Sequence, residues 1–297
     1  MGFVKFSTTV ALATAIAFTS IGAHAQPSET GGLQVQKVQL QQIRNATVKV
    51  TYADTTFLID PMLARKGTYP GFEGTHRSEL RNPLVELPMS VEDVLTGVDA
   101  IIVTHTHLDH WDEAAQEALP KDIPLYTQNQ SDAEIIRSQG FEDVRILEAN
   151  AQFGGVTLNK TGGQHGTDAM YAVAEVAGFL GDAMGVVFES PDHKTLYLVG
   201  DTIWRDEVDQ TLARYNPEVI VINAGYALLD GFEGSILMGK DDVVRAAEAA
   251  PQARIVATHM DAINHMSQTR EELKAHVAEK GLEDRVEVPE DGAVVAF

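Results

Sequence analysis

The chain has 297 residues, with 43 acidic against 22 basic side chains and no cysteine. Its net charge of −21 repels phosphate backbones and anionic lipid, so nucleic acid and membrane surfaces are poor partners. Without cysteine there are no disulfides, and a metal site has to be built from histidine and carboxylate ligands.

The first 25 residues have the order of regions found in a secretory signal peptide. Lys5 precedes the apolar, small-residue run TTVALATAIAFTSIG, and Ala23-His24-Ala25 supplies the small residues of a cleavage site. The apolar run is short for a membrane span of about 20 residues, which favours cleavage after Ala25 over a retained anchor. We therefore expect a periplasmic or secreted protein with no stable membrane insertion after cleavage.

The remainder is predicted to be a polar amino-terminal segment with a first strand (26–41) and one domain (42–297). The runs 33–40 and 46–52 alternate apolar and polar residues with period two, and a third strand-like run, 55–60, follows. Short polar turns between strand-like runs are typical of an antiparallel meander.

Residues 62–89 have little periodicity and contain glycine and proline at intervals, which predicts a long loop that forms a lid or a substrate wall. Beyond it, apolar strands alternate with helices. The predicted elements are helix 90–95, strand 99–105, helix 111–119, strand 123–128, helix 131–140, strands 143–148, 155–160 and 195–201, helix 205–214, strand 218–225, helix 240–250, strand 254–259 and helix 268–279. This alternation predicts a mixed α/β protein with two sheets packed face to face and helices outside.

The segment VTHTHLDHWD (103–112) concentrates three histidines and two aspartates in ten positions. His105 and His107, two apart in extended chain, point the same way and can bind one metal ion, whereas Asp109 and His110 lie past the bend and can bind another. A single histidine at a strand end is usually a surface residue. Imidazoles and a carboxylate set this close gain little without a metal, so the segment predicts a metal site.

Three further candidate ligands also follow predicted strands. His165 lies in the loop TGGQHG, Asp201 ends the strand TLYLVGD, and His259 ends the strand RIVATH. Each has another explanation when taken alone: a loop histidine, a helix cap or a surface residue. Strand ends are nevertheless where α/β proteins build their sites, and imidazoles with carboxylates suit Zn²⁺ with positions left for water. A carboxylate such as Asp201 can bridge two ions.

The run THTHLDH (104–110), followed in order by His165, the turn at Asp201 and His259, resembles the signature of the metallo-β-lactamase-fold hydrolases. Within that superfamily the chain is most similar to the branch that contains L-ascorbate-6-phosphate lactonase and N-acylphosphatidylethanolamine phospholipase D. The segments that carry this likeness are FLIDPMLA, RNPLVELP, TGGQHG, GDTIW, VINAG and ATHMDAINH. The resemblance covers roughly residues 42 to 297.

The resemblance implies an αββα sandwich with its site at one edge between the sheets. It also implies two ligand sets: His105, His107 and His165 for one ion, Asp109, His110 and His259 for the other, and Asp201 bridging them. Two zinc ions are expected, and a single ion or manganese, which occur in this branch, stay open. The link 167–194 is longer and more apolar than usual in the family, so it and the loop 62–89 are expected to line the pocket.

These observations predict a zinc-dependent hydrolase that acts on a small-molecule ester or lactone, with metal-bound hydroxide attacking the carbonyl. Asp109 would orient the water and accept a proton as well as bind metal. His265 and Asn264 either reach the pocket rim, where they would transfer a proton or contact substrate, or lie on the surface. Asp60, before Pro61, either orients a ligand imidazole or caps a turn.

Three alternative functions stay open at this point. Phosphodiester hydrolysis would need Lys160, Arg205 or Lys240 to face the metals. β-Lactam hydrolysis fits an exported protein, but the motifs resemble a different branch. A metal-binding protein without turnover is disfavoured because every ligand of the bridged pair is present, and binding alone needs no open pair of ions.

Overall fold

The computed structural model describes residues 1–5, 7 and 38–297, and every helix and strand lies in the last of these ranges. The predicted signal peptide, apart from residues 1–5 and 7, and residues 33–37 of the first predicted strand lie outside the described residues. The domain limits at residues 25 and 41 therefore remain predictions. Within the described ranges, no helix has the length and hydrophobicity needed to cross a bilayer.

Two seven-stranded sheets form the centre of the molecule. The strands are β1 (Gln39–Arg44), β2 (Thr47–Tyr52), β3 (Thr55–Ile59), β4 (Ala100–Val103), β5 (Leu125–Thr127), β6 (Val144–Ile146), β7 (Ala151–Phe153), β8 (Val156–Thr161), β9 (Gly185–Glu189), β10 (Leu196–Leu198), β11 (Val219–Asn223), β12 (Arg254–Thr258), β13 (Val286–Glu287) and β14 (Val294–Ala296). The order is β14-β1-β2-β3-β4-β5-β6 in the first sheet and β13-β12-β11-β10-β9-β8-β7 in the second.

Each sheet is antiparallel in one half and parallel in the other. In the first sheet β14, β1, β2 and β3 pair antiparallel, and β3 to β6 pair parallel. In the second sheet β7 to β10 pair antiparallel, and β10 to β13 pair parallel. Parallel strands buried on both faces consist of continuous apolar runs, as in AIIV of β4, where all four residues are buried.

Eight helices lie among the described residues. They are α1 (Val91–Leu95), α2 (Glu113–Ala118), α3 (Gln130–Ser138), α4 (Asp168–Tyr171), α5 (Ala174–Leu180), α6 (Asp206–Tyr215), α7 (Lys240–Ala249) and α8 (Arg270–Glu279). Polar side chains fix where several of them begin: Asp112 and Asn129 accept a hydrogen bond from the first turn of α2 and α3, respectively. The segment VTHTHLDHWD (103–112) therefore ends at a helix cap, because Asp112 is its last residue.

Three apolar layers confirm the predicted sandwich. Residues of both sheets share the central core, where the rings of Phe57 on β3 and Phe188 on β9 lie 5.4 Å apart. On the outer face of the first sheet, Val94, Ala115 and Ile136 of α1, α2 and α3 belong to a second core. A third core joins the second sheet to α6, α7 and α8. The order of layers is thus helix, sheet, sheet, helix.

The structure differs from the sequence prediction chiefly in the link 167–194. We assigned no element there, but it contains α4, α5 and β9. The two helices have only four and seven residues, too few to show an apolar stripe, and Gly181 ends α5. The short strands β7, β13 and β14 were also not predicted.

Candidate metal centre

The candidate ligands come together because the strands that precede them end at the same edge of the two sheets. His105 follows β4, His165 follows β8, Asp201 follows β10 and His259 follows β12, and all four are buried. The backbone is held tightly here. Gly200 has φ of 75°, and a Cβ at this position would lie 2.2 Å from the Met184 carbonyl oxygen, so only glycine fits before Asp201.

Non-glycine residues at this edge adopt left-handed backbone conformations, among them Asn45 with φ of 58°, Asp60 with φ of 47° and His259 with φ of 61°. Such conformations cost on the order of 1–2 kcal/mol each and cluster where function requires a fixed side-chain direction. Asn45, fully buried, connects two parts of the centre: its Nδ2 donates to the Asp109 carbonyl oxygen (2.9 Å), and its own carbonyl accepts from the His259 amide (3.1 Å).

The first predicted ligand set is assembled. One ligand atom from each of His105, His107 and His165 can be chosen so that all three lie within 4.8 Å of one another. The ring centroids of His105 and His107 are 4.4 Å apart, and those of His107 and His165 are 5.2 Å apart. His105 and His165 are buried and His107 is half-buried, so this ligand set is open to solvent on the side of His107.

The second predicted set is also assembled, and Asp201 lies between the two. Ligand atoms of Asp109, His110 and His259 lie within 4.8 Å of one another. Oδ2 of Asp201 is 3.1 Å from His110 Nε2, 3.4 Å from His259 Nε2 and 3.7 Å from His165 Nε2. A single carboxylate oxygen therefore lies next to histidines of both sets, as the predicted bridging role requires. Metal binding by these seven side chains remains a prediction.

Contacts behind the imidazoles fix which nitrogen faces the centre. His165 Nδ1 donates to the Ile236 carbonyl (2.7 Å), and His107 Nε2 donates to the Phe179 carbonyl (2.8 Å). His110 Nδ1 lies 2.9 Å from Asp60 Oδ2. The contacts of His165 and His107 leave the other ring nitrogen with its lone pair toward the centre, which is how metal-binding histidines are oriented.

Asp60 contacts the His110 imidazole, in line with the prediction that it orients a candidate ligand. Besides His110, it accepts from the Thr104 amide (Oδ1, 2.7 Å) and the Thr104 hydroxyl (Oδ2, 2.8 Å). That hydroxyl lies 3.1 Å from His105 Nδ1. Because the hydroxyl donates to Asp60, it can only accept from His105, which leaves His105 Nε2 as an acceptor or ligand.

The electrostatics of the cluster favour neutral imidazoles beside ionised carboxylates. Burial lowers the pKa of His105 well below its ordinary value, and His110 and His107 lower it further. Burial, opposed by Asp201, leaves the pKa of His165 at about 4. Burial alone would raise the pKa of Asp201, but His110 and His259 hold it well below its ordinary value. Neutral imidazole and ionised carboxylate are the forms that bind metal ions.

His110 is the exception, and its surroundings show where positive charge is needed. Burial lowers its pKa, but the carboxylates of Asp201, Asp60 and Asp109 together raise it well above the ordinary value. Its Nε2 faces His259 Nε2 at 3.0 Å. Two such nitrogens share either a proton or a cation. His105 Nε2 is buried and has no hydrogen-bond partner among the described residues. The donor set therefore fits divalent cations held by histidine and aspartate.

The two predicted catalytic residues both lie at the centre. Asp109 is 3% exposed, and its Oδ2 lies 3.5 Å from His259 Nε2 and 3.8 Å from His110 Nε2. His265 is buried, with its ring edge-on to Phe72 at 5.1 Å. Burial, opposed by Asp109, leaves the pKa of His265 at about 4. Its Nδ1 has no hydrogen-bond partner among the described residues, and the lowered pKa keeps this imidazole neutral at pH 7.

The expectation that Asn264 reaches substrate at the pocket rim is wrong. Asn264 is fully buried, and its side chain bonds to the loop 62–89: Oδ1 accepts from the Phe72 amide (3.1 Å) and Asn82 Nδ2 (2.7 Å). Its Nδ2 donates to the Thr75 hydroxyl (2.9 Å) and the His76 carbonyl (2.8 Å). All four hydrogen-bonding positions of the amide are used, so Asn264 holds the loop in place.

Two of the three basic side chains that phosphodiester hydrolysis would need, those of Lys160 and Arg205, have other partners. Lys160 Nζ donates to the Gln128 carbonyl (2.6 Å), and Arg205 forms an ion pair with Asp168 (2.5 Å). Lys240 begins α7, and its amide bonds to Gln268. None of these contacts involves a candidate metal ligand, so the structure gives no support to phosphate recognition by these three residues.

Several residues that shape the site were missed from sequence. Asn223 donates to Asp201 Oδ1 (2.6 Å), and its place at the end of a buried strand is the same signal that identified the histidines. The carbonyls of Phe179 and Ile236 act through backbone, so no side-chain pattern could have shown them. An apolar cluster beside the centre joins the loop 62–89 to the later loops through Met62, Tyr69, Leu229, Ile263 and Met266, with Phe72, Leu108 and Val176 packed against it.

Comparison with known proteins identifies relatives of nearly full length. The sequence model of the Beta-lactamase superfamily domain matches residues 55–260. The chain is 46% identical over 261 residues to the UPF0173 protein YddR of Bacillus subtilis (strain 168), covering 88% of this chain and all of that one.

Two solved structures are similar to the whole domain. A possible metal-dependent hydrolase from Veillonella parvula DSM 2008 has 50% identity and a TM-score of 0.86, covering 88% of this chain and 99% of that one. An isothiocyanate hydrolase from Delia radicum gut bacteria has 51% identity and a TM-score of 0.85, covering 87% of this chain and 99% of that one.

Proposed function

Because the chain belongs to the UPF0173 family of metal-dependent hydrolases within the beta-lactamase superfamily, we propose that it hydrolyses isothiocyanates at a two-zinc centre. The observation that carries the proposal is the likeness to the isothiocyanate hydrolase, in which about half of all positions are identical over nearly its full length. The assembled His and Asp cluster supplies the chemistry that such a reaction needs.

An isothiocyanate, R–N=C=S, has an electrophilic carbon between nitrogen and sulfur. Addition of water gives the thiocarbamate R–NH–C(=O)–SH, and cleavage of its C–N bond releases carbonyl sulfide and the amine R–NH2. When bound, divalent cations would lower the pKa of a water molecule towards neutrality and polarise the electrophile. The ionised Asp109 orients that water, and the neutral His265 is placed to accept a proton and return it to nitrogen.

The surroundings of the centre suit a small apolar substituent R. The side chains of Phe72, Leu108 and Val176 belong to the apolar cluster beside the candidate ligands. Phe179 stacks on the His107 ring with centroids 5.7 Å apart and is 48% exposed, so an apolar face is available next to the first ligand set. A neutral substrate also avoids repulsion by the acidic chain.

A carbonyl ester or lactone is the second candidate. Its support is the likeness of segments such as GDTIW and ATHMDAINH to the lactonase-containing branch, and the same attack on an electrophilic carbon applies. Manganese or a single ion in place of two zinc ions would serve either reaction.

Export is a further part of the proposal. Cleavage after Ala25 would leave Gln26 as the new amino terminus of a periplasmic or secreted enzyme. Expression of the full chain in a bacterial host, followed by amino-terminal sequencing of the extracytoplasmic fraction, tests this. A cytoplasmic protein that still begins at Met1 would contradict it.

The experiment that tests the activity compares kcat/KM for benzyl isothiocyanate, δ-valerolactone, phenyl acetate and bis(p-nitrophenyl) phosphate. We expect the isothiocyanate to exceed each other substrate by at least about 100-fold, and Asp109→Asn to abolish its turnover. Asp122→Asn, a change of the same type at an exposed position outside the centre, is the matched control and should match the unaltered protein. A lactone or ester hydrolysed faster than the isothiocyanate would overturn the assignment in favour of the second candidate.

A further inference from the structure

A row of side-chain hydrogen bonds crosses the second sheet beside Asp201. Asp201 follows β10, Asn223 ends β11 and Thr258 ends β12, and these three strands are neighbours that pair in parallel. Asn223 and Thr258 lie opposite each other in the register of β11 and β12. All three residues are buried, with at most 6% of any of them exposed. The row therefore lies at the edge of the sheet where the candidate ligands meet.

The direction of each hydrogen bond follows from the chemistry of the groups. Asn223 Nδ2 donates to Asp201 Oδ1 (2.6 Å), because an ionised carboxylate only accepts. The Thr258 hydroxyl donates to Asn223 Oδ1 (2.8 Å), because an amide oxygen also only accepts. If the amide turned over, its oxygen would face the carboxylate of Asp201 and the hydroxyl would lose its acceptor. The row thus holds Asn223 with its NH2 group towards Asp201.

The two oxygens of Asp201 have different surroundings as a result. Oδ1 accepts from Asn223, whereas Oδ2 lies 3.1 Å from His110 Nε2 and 3.4 Å from His259 Nε2. Rotation of the carboxylate about its Cβ–Cγ bond would break the bond to Asn223 and move Oδ2 away from these histidines. The far end of the row is also joined to the second ligand set, because Thr258 directly precedes His259.

The sheet itself does not require an asparagine at position 223. The other four residues of β11 are valine and isoleucine, and all five are buried. Asparagine is disfavoured in strands, and a buried amide is tolerated only where its polar groups find partners. Both partners found here belong to the row that ends on Asp201. The contacts of Asn223 therefore indicate a role in holding this carboxylate.

We infer that Asn223 is a positioning residue for Asp201, and that Thr258 sets the orientation of its amide. The inference rests on the two-ion centre of the proposed function and not on the identity of the substrate. One ion alone can take the carboxylate in either orientation. Two neighbouring cations need a negative oxygen held between them to offset their repulsion. Loss of the row should therefore weaken binding of the second ion more than binding of the first.

Asn223→Leu tests this in zinc titrations against a chromophoric chelator, which give one Kd for each ion. Leucine keeps the branched shape and lacks polar atoms. We expect the Kd of the second ion to rise by about 10–100-fold and that of the first by less than about threefold. The absorption spectrum of the Co²⁺-loaded protein, which reports coordination geometry, should change as well.

Asn159→Leu is the matched control. Asn159 is also a buried strand asparagine, and its Nδ2 donates to a carboxylate outside the centre, Glu189 Oε2 (2.9 Å). This change should lower stability and leave both Kd values and the Co²⁺ spectrum unaltered. Thr258→Val, which removes the hydroxyl, should raise the Kd of the second ion by about 3–10-fold, and Thr258→Ser, which keeps it, should not.

Four results would overturn the inference: an unchanged second Kd in folded Asn223→Leu, an equal rise for both ions, the same second Kd in Thr258→Val and Thr258→Ser, or an unaltered protein that binds a single zinc ion. The Thr258 pair gives the answer if Asn223→Leu does not fold. No substrate is present in these titrations, so the proposed activity is tested separately. A protein that shows the expected shifts but leaves isothiocyanates intact loses its proposed substrate and keeps this inference.

Discussion

Replacing Asp60 with asparagine should weaken metal binding without removing any candidate ligand. Asp60 accepts hydrogen bonds from three donors: the Thr104 amide on Oδ1, and the Thr104 hydroxyl and His110 Nδ1 on Oδ2. An asparagine has only one acceptor oxygen. In one orientation its NH2 group faces the Thr104 amide, and in the other it faces His110, so one buried donor is always left unpaired.

The expected size of the effect follows from these contacts. Through the Thr104 hydroxyl, Asp60 also fixes the proton on His105, so a single carboxylate sets one imidazole of each ligand set. Loss of a partner of this kind lowers metal affinity by about 10–100-fold, which corresponds to about 1.4–2.7 kcal/mol. Loss of its charge-assisted bonds should also lower the free energy of unfolding by about 1.5–3 kcal/mol.

Zinc affinity is measured by competition with a chromophoric chelator, on protein whose circular dichroism spectrum shows that it is folded. Asp112→Asn is the matched control: Asp112 is also fully buried and accepts from the amides of Leu63, Ala64 and Ala115, but it contacts no candidate ligand. We expect Asp112→Asn to lower stability and leave zinc affinity unchanged. The reasoning is refuted if folded Asp60→Asn binds zinc as tightly as the unaltered protein, or if both variants lose affinity equally.

Two further predictions concern stability. Asn264→Ala removes the amide that joins four groups of the loop 62–89. This variant should lower the free energy of unfolding, measured in urea, by about 2–4 kcal/mol. A loss below about 0.5 kcal/mol would contradict the structural role of Asn264. The buried His165 and His265 have pKa values of about 4 against 6.5 when unfolded, so the unfolded chain binds more protons between these values. In the metal-free protein, the stability contributed by these two histidines should therefore be present in full above pH 6.5 and be lost, by up to about 3 kcal/mol per histidine, as the pH falls to 4. His265→Gln should make this loss smaller in urea titrations, and an identical pH profile would disprove the assignment.

The candidate ligands could be identified from sequence because each follows a strand that is recognisable by itself. His259 comes directly after RIVAT and His105 comes one residue after AIIV, and strands of one layer deliver their ends to one edge. The sequence could not show which groups a polar side chain contacts when those groups are distant in the chain. Asp60 became identifiable as a partner of His110 only once β3 and β4 paired in parallel, which brings Thr104 beside Asp60.

Asn264 and His265 illustrate the same limit at adjacent positions. Both follow β12 in the segment MDAINH, yet the Asn264 amide binds backbone groups of the loop 62–89, whereas His265 lies close enough to Asp109 and His259 for their charges to act on its pKa. No local pattern separates them, because the difference depends on where the loop 62–89 packs. The region 167–194 was missed for another reason: short helices such as α5 obtain their stability from tertiary contacts, including the bond between the Phe179 carbonyl and His107.

The measurement that tests the central claim most directly is metal reconstitution of isothiocyanate hydrolysis. The purified protein is stripped with chelator, zinc is returned in known amounts, and the rate with benzyl isothiocyanate is recorded at each step. We expect no turnover in the stripped protein and a rise that ends near two zinc ions per chain, as the seven candidate ligands imply. Turnover that survives complete removal of metal, or a fully loaded protein that leaves isothiocyanates intact, would contradict the account.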